Sequence, residues 1–314
     1  MTCITTSVFF CREKRNTQKI LTIQSSPPCG KTCSYEWDVK ERGKYYPLLY
    51  KTVNCTNILY RMAYSPYPVI RPPPRRPPLK LLKNFTIEGQ CPVSRYWYFD
   101  ESRGNNSPLV LSIGKYLVRD KVANINPYKD KNAVKPALVI YRHLIRRKHV
   151  AVIGTRNPWA EAILLNLGAN SIKTIEYRKL VIRDKRVKTA TPNRVAKEFI
   201  YGKPALFDTV FTYSSLEHSG LGRYGDPLTP FGDLEATAQV CCMVKPGGHF
   251  ILAVPVSSNR QNCSIWWNAG RVYEAVRLQH LTANWQVLDE FKAFDNIAMD
   301  GSHSIFVMKK VQLI

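Results

Sequence analysis

From residue 133 onward the sequence alternates short apolar strands with helical segments, and this alternation limits the fold more than any other feature. The strands read as "HVAVIG" (149–154), "IKTIEY" (172–177), "RVKT" (186–189), "LFDTVFTYSS" (206–215) and "HFILAVPV" (249–256). Between them, "PWAEAILLNLGA" carries Pro158 in its first turn and Gly168 at its end, as a helix requires. "TPNRVAKEF" offers Thr191 as an N-terminal cap and Pro192 at the first helical position, and "PFGDLEATAQVCCMVK" closes on "PGG". The run "AVKPALVIYRHLIRRK" precedes the first strand as a helix with a basic end, and "RVYEAVRLQHL" (271–281) also reads as helical. Apolar strands joined by helices form a parallel sheet covered on both faces. The final runs "WQVLDEFKAF" and "HSIFVMKKVQL", joined by a Gly-containing turn, read as an antiparallel pair. The expected fold class is α/β: a doubly wound, mostly parallel seven-stranded sheet carrying an irregular N-terminal extension.

Residues 1–80 are expected to form that extension. Within it "YYPLLYKTV" and "TNILYRMAY" read as short strands or helical turns. It ends in "VIRPPPRRPPLK" (69–80), whose prolines suit an extended connector, read as a stiff linker before a partner ligand. Residues 81–132, with the aromatic "RYWYFD", read as a cap on the α/β domain of 133–314. Composition narrows the partners. The chain has 46 basic and 23 acidic residues, a net charge of +23, and so favours anionic partners. No stretch reaches the roughly 18 apolar residues of a membrane helix. The start, "MTCITTSVFFCREKR", places its basic residues after its apolar patch, the reverse of a secretory signal, which points to the cytoplasm. Four Asn-x-Ser/Thr sequons, at Asn54, Asn84, Asn105 and Asn262, point instead to a secretory lumen and a glycoprotein. The nine cysteines include no pair of CxxC motifs, so zinc is not expected and buried free thiols are.

In doubly wound sheets the ligand sits at the carboxyl ends of the strands, where the strand order reverses. The turn after the first strand, "VIGTRNPWAEA", supplies Gly154 and Thr155 for close backbone approach. No GxGxxG is present, because Arg156 and Asn157–Pro158 occupy the later positions; this argues against NAD or FAD. Glu176, followed by Tyr177, ends the second strand 22 residues after Gly154, where a carboxylate can accept from both ribose hydroxyls of an adenosine. The fourth strand then opens into "YSSLEHSGLGRYGD" (213–226). There Ser214 and Ser215 face the cofactor side, and His218 is the candidate general base. Glu217 is expected to orient it or bind the cofactor, and Arg223 and Asp226 to hold a polar substrate. A metal on Glu217, His218 and Asp226 would follow no established ligand spacing, so none is expected. The basic run 177–188 reads as a solvated face, and without an aromatic-basic RNA signature a nucleic-acid partner is disfavoured.

The segments "VIGTRNPWAEA", "IEY", "FDTVFTYSSLEHSGLGRYGDPLTPFGDLEA", "CCMVKPGGHFILAVPV" and "WNAGRVYEAVR" together resemble a nematode-rich, Caenorhabditis-type family catalogued as a domain of unknown function. That family is placed within the S-adenosylmethionine-dependent methyltransferase superfamily. The resemblance implies the class I methyltransferase-like fold and S-adenosylmethionine as cofactor. It matches Gly154 to the first glycine of the cofactor turn and Glu176 to the ribose-binding acid. Val152 stands where a typical member carries an acid and two further glycines are absent; Glu161, on the following helix, is a candidate replacement. The implied reaction is transfer of a methyl group to an oxygen of a small or glycan-like, anionic acceptor. The alternatives are a catalytically inactive binding protein on the same fold, and a nucleic-acid methyltransferase or binder resting on charge alone.

Overall fold

The computed structural model describes residues 55–64, 71–102, 108–117, 131–257, 263–292 and 302–311. Helices α1 (Cys55–Tyr64) and α2 (Leu79–Phe85) precede strands β1 (Val93–Tyr96) and β2 (Leu109–Leu111) and helix α3 (Lys131–Ile140). The alternating part follows as β3 (His149–Ile153), α4 (Trp159–Asn166), β4 (Ser171–Ile175), β5 (Leu180–Ile182), β6 (Val187–Ala190), α5 (Pro192–Ile200), β7 (Phe207–Tyr213), α6 (Gly232–Met243) and β8 (Val244–Val256). The chain continues with β9 (Ser264–Trp267), β10 (Gly270–Val272), α7 (Ala275–Leu281), β11 (Trp285–Lys292) and β12 (Ser302–Lys310).

The central sheet has the order β11-β12-β8-β7-β3-β4-β6. Five neighbouring strands are parallel, and β12 is inserted antiparallel to both β8 and β11. This is the doubly wound, mostly parallel seven-stranded sheet expected from the alternation. The two-residue period of the strands feeds two cores. Phe211 and Ile251 point into a layer with Leu164 of α4 and Leu138 of α3, while Val210, Phe250 and Leu252 point into the layer of α1 and α6. Helix α4 is apolar nearly all round and buried from Trp159 to Leu165, as such a helix must be.

Several expectations are corrected by tertiary context. The run 271–281 is helical only from Ala275, because Gly270–Val272 pairs with β9 and Glu274 is fully extended. Thr191 holds the N-cap position of α5, with Pro192 next, yet its side chain makes no capping bond. The α3 helix stops at Ile140 and tightens into a 3-10 turn over Arg142–Leu144 before the chain enters β3. The proline run does not stand free as a linker: Pro73 and Pro77 are buried, and the Trp267 indole N–H donates to the Pro74 carbonyl at 2.9 Å. "TNILYRMAY" is helical and sets Ile58 and Leu59 into the core beside α6; "YYPLLYKTV" lies outside the described residues.

Four cysteines correct the expectation of buried free thiols, which Cys241 alone of the described cysteines meets; Cys3, Cys11, Cys29 and Cys33 lie outside the described residues. Cys55 is disulfide-bonded to Cys242, with Cα atoms 5.3 Å apart, and Cys91 to Cys263, at 4.8 Å. The first ties α1 to α6. The second ties the start of β1 to the start of β9, beneath a three-stranded sheet of order β1-β9-β10 that sits over the carboxyl edge of the domain. A two-stranded parallel sheet, β2 with β5, borders the same edge and takes up the middle of the basic run 177–188. The sequon at Asn84 is closed to modification in this fold, since Asn84 is buried and the Thr86 hydroxyl donates to the Leu82 carbonyl at 2.8 Å. The other three sequon asparagines lie outside the described residues.

Candidate active site

Sheet register brings the strand ends together. Ile153 of β3 is level with Ile175 of β4 and with Thr212 of β7, so Gly154, Glu176 and the 213–218 loop leave the sheet side by side. Here the strand order reverses, β4 and β6 lying to one side of β3 and β7 and β8 to the other. Gly154 adopts φ +73°, and a Cβ there would stand 1.9 Å from Ser215 Oγ. The glycine is thus required by the approach of two strand-end loops. Glu176 accepts hydrogen bonds from the backbone N–H of Thr155 (2.9 Å) and of Tyr177 (2.7 Å), with Arg178 adding a third backbone contact. Burial raises its pKa above the ordinary carboxylate range even against those donors. A carboxylate has about four lone-pair positions, so one remains for a ligand.

Glu161 lies beneath this turn, 0% exposed, and does not line the cavity. The Thr174 hydroxyl donates to it at 2.8 Å and Thr155 Oγ1 lies 3.5 Å away. Burial pushes its pKa up to about 7. Its expected cofactor contact is therefore replaced by support of the turn from below.

The "YSSLEHSGLGRYGD" loop is organised around Asp226. The Asp226 carboxylate accepts from the backbone N–H of Gly220 (2.7 Å), Gly222 (3.1 Å) and Tyr224 (3.1 Å). Gly220 has φ +85°, and a Cβ there would stand 2.2 Å from the Thr229 carbonyl oxygen, which accounts for that glycine. Asp226 therefore shapes the loop, and its polar capacity is largely spent on backbone. Ser214 donates to Glu217 Oε1 at 2.6 Å, and that oxygen lies 3.5 Å from His218 Nε2. The other oxygen of Glu217 is buried without a protein partner. His218 Nδ1 is bonded to the Ala269 carbonyl oxygen, which fixes the tautomer with its proton on Nδ1 and leaves Nε2 to accept. His218 borders the cavity; Glu217 stands behind it.

A buried ionic cluster holds the loop from below. Arg277 Nη2 and Nε reach Asp233 at 2.7 and 2.8 Å, the Tyr273 hydroxyl donates to Asp233 at 2.9 Å, and Arg271 Nε lies 3.7 Å from it. Burial would raise the Asp233 pKa, but Arg271 and Arg277 outweigh it and hold the carboxyl below its usual range. Arg271 then donates to the carbonyls of Glu217 (3.1 Å) and Ser219 (2.6 Å), fixing the backbone on both sides of His218.

The cavity above the strand ends has a volume of about 810 Å³. Its floor is apolar, from Val152, Trp159 and Phe211; of the residues named from the sequence, Gly154, Thr155, Glu176, Tyr177, Ser214, Ser215, His218, Arg223 and Asp226 border it, and Glu161 and Glu217 do not. Glu101, which that reading missed, closes the far side. It pairs with Arg223 at 2.7 Å and with Arg156 at 3.1 Å, so Arg223 is already engaged. The Arg223 guanidinium also stacks on Phe99 (4.3 Å) and Tyr224 (4.9 Å). Only the acidic end of the "RYWYFDE" segment hinted at Glu101. Among the described residues no cluster of His, Cys, Asp or Glu is placed to hold a metal, and no helix is long and apolar enough to cross a membrane.

The family described as "Caenorhabditis protein of unknown function, DUF268" matches residues 147–310, slightly more than half of the chain. The chain belongs to this family. The DUF268 segment runs from the lead into β3 to the end of β12, and so contains the Gly154 turn, Glu176 and the whole His218 loop. No curated protein matches the chain. Similar solved structures include 1,6-didemethyltoxoflavin-N1-methyltransferase from Burkholderia thailandensis with bound 1,6-didemethyltoxoflavin and S-adenosylhomocysteine, at 17% identity and TM-score 0.43, over 66% of this chain and 93% of that one. The N-methyltransferase NodS from Bradyrhizobium japonicum, in complex with S-adenosylhomocysteine, aligns at 14% identity and TM-score 0.41 over 64% and 97% of the two chains. The [4+2]-cyclase SpnF aligns at 12% identity and TM-score 0.39 over 65% and 97%.

Proposed function

We propose that the protein is an S-adenosylmethionine-dependent methyltransferase acting on an oxygen of a small or glycan-like, anionic acceptor. The observation that carries this reading is the meeting of the Gly154 turn, the Glu176 carboxylate and the His218 loop around one cavity at the reversal of strand order. The site residues fit the cofactor. Glu176 keeps a lone pair for a ribose hydroxyl, and Val152, Trp159 and Phe211 supply an apolar bed. When bound, the cofactor supplies a methyl group on a sulfonium, whose C–S bond breaks toward sulfur as the new O–C bond forms.

The chain's part is alignment and removal of one proton. His218 Nε2 takes the proton of the acceptor hydroxyl. The ring is held for this by the Ala269 carbonyl oxygen at Nδ1, with Glu217 Oε1 3.5 Å from Nε2. The cavity lining balances Arg156, Arg178 and Arg223 against Glu101, Glu176 and Asp226, so the anionic acceptor is argued from the chain's net charge of +23. Residues 133–314 are taken as the catalytic unit, 81–132 as its cap and 1–80 as the extension. The two disulfides support an oxidising compartment such as the secretory lumen in preference to the cytoplasm.

Calorimetric titration with S-adenosylmethionine and S-adenosylhomocysteine tests the reading. Binding in the micromolar range is expected for the native protein and is lost in Glu176→Ala. His218→Ala is expected to lower turnover by about a hundredfold or more with cofactor affinity unchanged. No binding of either compound overturns the enzyme reading in favour of an inactive binding protein on this fold.

A further inference from the structure

The outer face of the cap carries an alternation of guanidinium groups and aromatic rings that the cavity chemistry does not use. Arg95 stacks on Trp266 at 4.8 Å, and Trp97 lies nearly parallel to Phe99, ring centres 5.8 Å apart with planes 14° apart. Phe99 in turn lies under Arg223 at the cavity rim, and Tyr224, on the other side of Arg223, meets the His218 ring edge-on at 5.6 Å. From Trp97 the series therefore runs through Phe99, Arg223 and Tyr224 to the candidate base, with the Arg95–Trp266 pair as a separate stack on β1 and β9. Beside it the proline run lays Arg75 over Tyr98 at 4.4 Å and Arg76 over Tyr96 at 5.5 Å. Tyr96, Trp97 and Tyr98 remain 57%, 46% and 37% exposed, more aromatic surface than three consecutive residues of a soluble fold ordinarily leave in water.

We propose that this face is a docking surface for an anionic oligosaccharide, sulfated or uronic-acid-bearing, whose terminal sugar enters the cavity; the proposal rests on the methyltransferase reading for what happens to that sugar. The apolar C–H face of a pyranose ring complements the electron-rich face of an exposed Trp or Tyr. The exposed guanidinium groups of Arg75 and Arg76, laid over Tyr98 and Tyr96, provide forked donors for sulfate or carboxylate. The rings are held ready, since the Cys91–Cys263 disulfide pins the sheet that carries them and the Trp267 indole fastens the proline run to it. Alternating cations and rings also suit single-stranded nucleic acid. The disulfides decide between the two, because they belong to oxidising compartments, where glycans abound and nucleic acid does not.

The test uses the full chain and three probes: a heparin-derived hexasaccharide, neutral chitohexaose and the oligonucleotide dT12. Trp97→Ala is the informative variant because it removes a ring at an exposed position and no charge, so diffuse attraction to a chain of net charge +23 is left intact. Arg95→Ala is its companion and Lys203→Ala the reference for removing a charge elsewhere. The sulfated hexasaccharide should bind best, weaken about tenfold in Trp97→Ala and in Arg95→Ala, and change little in Lys203→Ala. Equal binding of the hexasaccharide by the native protein and Trp97→Ala would overturn the proposal, as would preferential binding of dT12. Cofactor titration of the same samples separates the two readings. Ring-dependent sugar binding without cofactor binding supports the docking surface and removes the methyltransferase, whereas cofactor binding with ring-independent sugar binding does the reverse.

Discussion

The two walls of the cavity are built on opposite principles. The sheet wall consists of Gly154, Glu176 and Ser214–His218, residues that leave neighbouring parallel strands, and it is held by backbone hydrogen bonds and register. The cap wall consists of Glu101, Arg223 and Tyr224, held by a disulfide, a guanidinium stacked on Phe99 and a buried ion cluster joining residues distant in sequence. One wall follows from the register of the sheet and the other from side-chain pairings outside it. The difference teaches that the Gly154–Glu176 side depends on the whole sheet, while the Glu101–Arg223 side depends on a few polar contacts. It follows that single substitutions should separate the two walls.

The largest effect is expected at Asp233. It is fully buried and is the only acid placed within 4 Å of both Arg271 and Arg277 in the described cluster. Asp233→Ala leaves two guanidinium groups buried without their counter-charge, which costs about 3–5 kcal/mol. Urea denaturation should show this as a lower midpoint with an unchanged slope, and Asp233→Asn should cost less because it keeps an acceptor for Tyr273. A cost below about 1 kcal/mol would break the comparison, since the cap wall would then stand without its anchor.

The same contrast explains what could be read in the sequence. Gly154, Glu176 and the serines were legible because strand periodicity and strand-end position are local signals. So were the order of elements and the antiparallel terminal pair. Glu101 was not, because it reaches the cavity through a cap segment with no period, more than 50 residues before the Gly154 turn. The disulfides join residues 187 and 172 apart, and no spacing rule connects such pairs. Arg271 was misread for a different reason. The run 271–281 has helical apolar spacing, yet burial of Arg271 against Asp233 and pairing of its backbone with β9 override that pattern.

Next in size is a pH effect on the sheet wall. The Glu161 carboxyl has its pKa raised from 4.5 to about 7 by burial. Between those values the folded state binds this proton more tightly than the unfolded state, so stability falls as pH rises through the window from 4.5 to 7 and levels off above it. The loss amounts to about 3 kcal/mol, at about 1.4 kcal/mol per tenfold change in proton affinity. Glu161→Gln cannot ionise and still offers Thr174 an acceptor. Its stability relative to the native protein should therefore improve by up to about 3 kcal/mol between pH 5 and pH 8, read from melting temperatures across that range. Parallel pH profiles for the two proteins would show that Glu161 stays charged beneath the turn and that another group sustains it.

Gly154→Ala asks whether the sheet wall is shaped by the protein or by its ligand. A Cβ at φ +73° is strained by about 1 kcal/mol, and it would stand 1.9 Å from Ser215 Oγ and 2.5 Å from Ser215 Cβ. Ser215 must then move, and with it the first residues of the loop that carries His218. Affinity for S-adenosylmethionine should fall about a hundredfold, or about 2.8 kcal/mol at 1.4 kcal/mol per tenfold. The double variant Gly154→Ala with Ser215→Gly removes the collision and keeps only the strain, so its affinity should return to within about tenfold of the native value. Recovery would mean that the glycine serves the meeting of two strand-end loops, with the cofactor a beneficiary of that packing. Failure to recover would mean that the ligand itself lies against the Gly154 backbone, and the turn would then be a cradle made for it.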